Sequence, residues 1–125
     1  MKSDGVDPGP IRGRTLRPVG EIIVILRHVV RSGMAHLAER RIDANGERMA
    51  GMPGFLFRHT LISPGDTRLC VTATGWLSRE HYDAWLDYQR VASAAVDAPS
   101  QAETPYVSVE TEILDVRRSI IGAVR

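Results

Sequence analysis

An α+β fold of ferredoxin-like type, with the order β-α-β-β-α-β and an antiparallel sheet carrying both helices on one face, is what this sequence predicts. Three observations carry it. A continuous β-branched run, EIIVILRHVV from Glu21, has the character of a strand covered on both faces. Two segments with helical spacing, Met34 to Met49 and Arg79 to Val96, each follow an apolar strand-like run. Between the helices, two such runs flank Ser63-Pro64-Gly65-Asp66, whose proline presets φ and whose glycine permits positive φ, so they form a hairpin.

The elements follow in order. Residues 1–19, with Gly20, hold three prolines, four glycines and few large apolar side chains, and read as a flexible amino-terminal tail. The domain proper spans 20–118, and 119–125 is a carboxy-terminal extension able to reach a partner. Ser32 and Gly33 end the first strand, and Ser32 is placed to cap the first helix. Met34, Leu37, Ala38, Ile42 and Met49 fall on one stripe of that helix. Asn45-Gly46 weakens its middle, since glycine there costs about 1 kcal/mol against alanine, so a break near Gly46 is expected. Gly51 and Pro53 end it. Phe55 to Ile62 and Arg68 to Trp76 are the hairpin strands. Ser78 caps the second helix, where Tyr82, Trp85, Leu86 and Gln89 share a side. A polar loop over 97–105 leads to a fourth strand, Tyr106 to Val116.

Composition excludes several classes. The 125 residues suit one domain. With 43% hydrophobic and 25% charged residues they are ordinary for a globular protein. A net charge of +1 offers no electrostatic case for nucleic acid or an anionic membrane. Fifteen arginines stand against the single Lys2, which reads as the codon bias of a GC-rich genome. Cys70 is alone, so neither an intrachain disulfide nor a cysteine-based zinc cluster is available. The amino terminus lacks the apolar core of a signal peptide, and no run is long enough to span a bilayer, so a cytoplasmic protein is expected. The four histidines show neither HxH nor HExxH spacing, so no metal is expected.

Two helices cover only one face of such a sheet. Ile22, Val24 and Leu26 alternate with Ile23, Ile25 and Val29, so both faces of the first strand are apolar. Left in water, that second face exceeds the patch a monomer tolerates. A homodimer packing two sheets face to face is the expected solution, a dimeric α+β barrel with a cavity for a small ligand between sheet and helices.

The stretch MPGFLFRHTLISPGDTRLCVTATGWLSREHYDAWLDYQ resembles antibiotic-biosynthesis monooxygenases. That family shows a PGF after the first helix, a hairpin, a strand ending in Trp-x-Ser, and an aromatic residue six after that Trp. Here these are Pro53-Gly54-Phe55, Trp76-Leu77-Ser78 and Tyr82. The resemblance covers about residues 20 to 118. It implies a homodimer that oxygenates a small aromatic substrate, a polycyclic polyketide phenol, anthrone or angucyclinone, in antibiotic biosynthesis. Such enzymes hold no tightly bound cofactor and take dioxygen as co-substrate; ring-opening members draw on reduced flavin from a partner flavin reductase. Trp76 and Tyr82 match cavity positions of anthrone-oxidising members. The family's asparagine four residues before the Trp is Thr72 here, which donates a hydrogen bond but offers no amide. A haem-degrading branch uses a helix histidine where this chain has Ala95 and a first-strand asparagine near Leu26, so it ranks lower.

The residues themselves supply candidates. His28 is in phase with Val24 and Leu26 and is either a cavity base or a strand-end histidine bonded to solvent or backbone. His59 shares a strand face with Phe55 and Phe57, an aromatic slot with one proton acceptor, or else a core face; Arg58 points the other way. The catalytic set is His59, His28, Tyr82 and Thr72. Substrate would lie against Trp76, Phe57, Phe55, Leu26 and Trp85, with Arg90 as a clamp for a phenolate, although a solvated helix arginine is the competing state. Trp76 and Trp85 also suit core packing. His36 and His81 are expected at the surface. The alternatives are a non-oxidative polyketide cyclase or isomerase on the same barrel, and a non-catalytic partner of a larger oxygenase.

Overall fold

The computed structural model describes residues 14–16, 20–95 and 104–123. Its elements are β1 (Arg14–Leu16), β2 (Ile22–Val30), α1 (Ala35–Met49), β3 (Phe55–Ser63), β4 (Asp66–Trp76), α2 (Arg79–Ala95), β5 (Tyr106–Asp115) and β6 (Ser119–Ile121). Strands β2 to β5 form one antiparallel sheet in the order β3-β4-β2-β5. This is the ferredoxin-like arrangement the sequence predicts. Strands β1 and β6 pair separately, Arg14 opposite Ile121 and Leu16 opposite Ser119. Tail and extension patterning does not anticipate that pair. Most of the expected polar loop, and the tail apart from β1, lie outside the described residues.

The core forms where the apolar alternation of β2 meets the ends of both helices. Ile22, Val24, Met49, Trp76, Tyr82 and Trp85 are its buried members, with Leu26, Met52, Phe55 and Ile113 packed around them. Val24 and Trp76 are fully enclosed. Phe55 meets the Trp76 ring edge-on, centroids 5.5 Å apart at 75°, a favourable aromatic geometry.

Three local expectations change. Ser32 does not cap α1. Gly33 at φ 79° turns the chain one residue later, and Met34 takes the N-cap position with no side-chain bond. The helix does not break at Gly46. It runs through to Met49, because the missing side chain makes room for Arg58: a Cβ on Gly46 would lie 2.8 Å from the arginine Nε. His81 is half-buried rather than at the surface. Ser78 does cap α2, accepting from the His81 backbone N–H at 3.2 Å, and the His81 ring returns to the Ser78 hydroxyl at 2.7 Å. The ring then lies over Gly54, where any Cβ would collide with it at 2.2 Å.

β3 also carries a register shift. Phe55 is opposite Trp76 and Phe57 is opposite Gly75, so two steps on β3 match one on β4. A bulge of this kind reverses the facing of every residue after it. Phe55 therefore joins the core beneath the helices. Phe57 crosses Gly75 on the far face of the sheet, where a glycine Cβ would lie 2.1 Å from its ring. His59 follows Phe57, centroids 5.1 Å apart, and is exposed there.

Candidate active site

Along the helix-facing side of the sheet, the layer turns from apolar to polar. Trp76 is followed on β4 by Thr74 and Thr72. Leu26 lies opposite Thr72, and Arg58 lies opposite Thr74 on β3. His28 follows on β2, opposite Cys70. Neither helix fills the space above these residues, and a cavity of about 60 Å³ remains. Tyr82, Trp85, Leu86 and Gln89 approach it from α2, Ile42, Asn45 and Met49 from α1. The α2 residues share one side because they recur at helical spacing.

His28 is 7% exposed. Its Nδ1 lies 3.2 Å from the carbonyl oxygen of Cys70. A carbonyl can only accept, so Nδ1 carries the proton and Nε2 keeps its lone pair. The Tyr106 ring packs against the imidazole, centroids 5.0 Å apart. Burial pulls the His28 pKa below its ordinary value; the Cys70 bond opposes this and the Arg58 charge reinforces it. The imidazole is thus neutral at neutral pH, with an acceptor nitrogen on a residue that lines the cavity, which is what a general base requires.

Tyr82 is buried, and burial raises its phenol pKa, with Arg79 opposing. It therefore remains a donor. Thr74 Oγ1 accepts the Trp76 indole N–H at 3.0 Å, leaving the threonine proton to point elsewhere. Arg58 donates to the Ile42 carbonyl at 2.9 Å and approaches the Met49 sulfur at 3.7 Å.

The structure thus brings together His28, Thr72, Tyr82, Leu26 and Trp85. The others lie elsewhere, for identifiable reasons. His59 and Phe57 face away from the helices because of the bulge. Phe55 and Trp76 lie in the core; Trp76 has no exposed surface and lines no wall of the cavity. Arg90 is exposed and paired with Asp87 on its own helix. Sequence reasoning did not place Arg58, Asn45 or Gln89 at a site. Arg58 left one signal, a charge inside an apolar strand, and Gly46 inside a helix left another.

A second hollow, about 230 Å³ and mainly apolar, lies on the other side of Ile42, lined by Val30, Ala38, Ile62, Leu69 and Cys70 among others. Burial raises the Cys70 thiol pKa, so it is protonated and inert there. Among the described residues no three of His, Cys, Asp and Glu converge as metal ligands. Nor is any helix among them long and apolar enough to cross a membrane.

No protein-family model and no curated protein matches the chain. Solved structures do. SnoaB of Streptomyces nogalater, a cofactor-independent oxygenase, superposes with a TM-score of 0.60 at 17% identity, covering 78% of this chain and 94% of its own. The heme-degrader MhuD of Mycobacterium tuberculosis, solved with two hemes in its active site, gives 0.61 at 21%, covering 77% and 95%. PA3566 of Pseudomonas aeruginosa gives 0.64 at 14%, covering 78% and 94%. Likenesses at these identities establish the fold.

Proposed function

We propose that this protein is a small oxygenase acting on an electron-rich aromatic phenol, of the polycyclic anthrone or angucyclinone type. The observation that carries the reading is the His28–Cys70 hydrogen bond, which leaves Nε2 of a buried, neutral imidazole as the acceptor beside the cavity. The fold shared with SnoaB supports it. In the reaction, His28 takes a proton from the bound phenol or from the acidic methylene of its anthrone tautomer. The resulting carbanion gives electrons to dioxygen, and oxygen bonds to the same carbon. Tyr82, and Thr72 as a weaker donor, supply hydrogen bonds to the peroxide so formed. Loss of water then leaves a carbonyl where the methylene stood. Dioxygen supplies both the oxidising equivalents and the oxygen atom, so no bound cofactor is required; reduced flavin from a partner reductase serves the ring-opening variant.

The cavity is smaller than the roughly 300 Å³ at which ordinary ligand pockets begin. A tricyclic substrate therefore enters by displacing the wall. Ile42 lines both this cavity and the apolar hollow beside it, so its movement joins the two. Haem fits the residues poorly: the cavity and the adjoining hollow, about 60 and 230 Å³, do not together reach the size of an ordinary ligand pocket, and position 95 on α2 is alanine.

A cytoplasmic homodimer completes the proposal. The far face of the sheet presents Ile23, Ile25, Val29, Phe57 and Val71 half-buried, with Leu61 49% and Leu114 45% exposed. A second copy covers such a face economically.

The same base also suits a proton-shifting isomerase or cyclase. Oxygen uptake with dithranol, a tricyclic anthrone, separates the two. Uptake by wild-type protein that disappears in His28→Gln supports the oxygenase. Proton exchange at the methylene without uptake supports the isomerase.

A further inference from the structure

Arg58 is unusual in where it lies and in what it lacks. Its guanidinium has five N–H donors. The structure gives it one carbonyl, that of Ile42 at 2.9 Å, and one weak acceptor, the Met49 sulfur at 3.7 Å. Among the described residues, no carboxylate lies within ion-pair distance of it. Every ion pair among those residues is at the surface, such as Arg27 with Glu112 or Arg79 with Asp83. Desolvation dominates its electrostatics, and Asp43 eases the charge only from beyond ion-pair distance, so the half-buried cation is costly.

The surroundings nevertheless hold it in place. α1 carries a glycine in its interior, at Gly46, against its own helical preference, and the guanidinium occupies the space a methyl group would take. The bulge in β3 turns Arg58 toward the helices and sends its neighbours Phe57 and His59 to the opposite face. The side chain arrives in the cavity that also holds His28, Tyr82, Thr72 and Thr74. A neutral base and a cation with no carboxylate in contact therefore share one small space with hydroxyl donors. That combination has a specific chemical meaning. The base removes a proton, and the cation holds the charge left behind.

We propose that Arg58 is the anion-binding residue of the cavity, and that the ligand is a weak oxygen acid, a phenol or enol, bound as its conjugate base. Its proton moves to His28 Nε2, the electron pair stays on the ligand oxygen, and that oxygen accepts from Arg58. The step needs no oxidant. It rests on the preceding section only for the location of the ligand and the role of His28.

The test uses para-nitrophenol, whose phenol and phenolate forms absorb at different wavelengths, and para-nitroanisole, a neutral analogue without the acidic proton. Both are titrated under nitrogen. Wild-type protein is expected to bind para-nitrophenol as the phenolate at a pH where the free probe is mainly protonated. Arg58→Gln is expected to weaken that binding at least about tenfold, the scale of a charge-assisted hydrogen bond, while para-nitroanisole binds as before. Arg58→Lys retains part of the effect.

Gly46→Ala guards against a folding artefact. It keeps the charge, favours the helix, and pushes the guanidinium aside, so phenolate binding falls while thermal stability does not. Three results overturn the assignment: equal phenolate binding by wild type and Arg58→Gln, equal loss of both probes in Arg58→Gln, or wild-type protein that never shifts the probe to its phenolate. Dithranol oxidation does not enter this assay. A protein that consumes no oxygen yet binds phenolate through Arg58 refutes the oxygenase alone. One that consumes oxygen but shows no phenolate preference refutes the Arg58 role alone.

Discussion

The Nδ1 atom of His28 and the carbonyl oxygen of Cys70 lie 3.2 Å apart, across two neighbouring strands. That contact fixes which imidazole nitrogen can accept a proton in the cavity. His28→Gln is therefore expected to lower turnover of dithranol by about 10² to 10⁴-fold, the usual contribution of a general base. His59→Ala, on the far face of the sheet, should leave the rate unchanged. Steady-state oxygen uptake by both variants checks the pair, and an unchanged His28→Gln rate refutes the assignment.

The pH dependence of stability follows from the same residue. Its folded-state pKa lies below the ordinary value of 6.5, first because of burial. The unfolded chain then binds the proton more readily than the folded one. Stability is fully present above about pH 6.5 and declines as pH falls through that value toward the folded pKa. Melting temperature measured from pH 8 to 5 should drop in wild-type protein. The decline should be shallower in His28→Gln.

Trp76 acts through packing. Truncation to alanine removes a fully buried ring and the indole bond to Thr74, and is expected to cost about 3–5 kcal/mol. Trp76→Phe keeps the edge-on contact with Phe55 and should cost less, with little change in the affinity of whatever occupies the cavity. Denaturant melts paired with ligand titration separate the two effects.

Ile42→Ala should join the small cavity to the apolar hollow beside it. The expected cost is about 2–5 kcal/mol of stability, accompanied by tighter binding of tricyclic ligands relative to single-ring ones. Equal affinity ratios in the variant and the wild type would show that the dividing wall is irrelevant to size selection.

Ile25→Asp places a charge on the uncovered sheet face, away from the helices. Sedimentation of wild-type protein at micromolar concentration is expected to give a dimer and the variant a monomer. A stable folded wild-type monomer refutes the paired barrel.

How far the sequence reaches differs from strand to strand. The alternation of β2 places Val24, Leu26 and His28 on one face, and the helical spacing of α2 places Tyr82, Trp85 and Gln89 together. Both patterns are local and survive folding. β3 defeats the same reasoning at a single residue. Strict alternation puts Phe55, Phe57 and His59 on one face, whereas the bulge at Leu56 separates the first from the other two. No propensity in Phe55-Leu56-Phe57 marks that extra step, because its cause lies in the register with β4. Gly46 misleads for a related reason. Its intrinsic cost predicts a weak helix, but a partner twelve residues away, on another element, determines why it is there.

The β1–β6 pair joins Arg14 to Ile121. The long loop between these strands is already closed by the β2–β5 ladder, which sets Ile22 opposite Asp115, so the clasp adds only three residues of pairing on each strand. The helices and the β3–β4 hairpin can form long before. On refolding this clasp should be the slowest ladder to acquire amide protection, and in the native protein the quickest to exchange, opening without disturbing the sheet that carries His28 and Arg58.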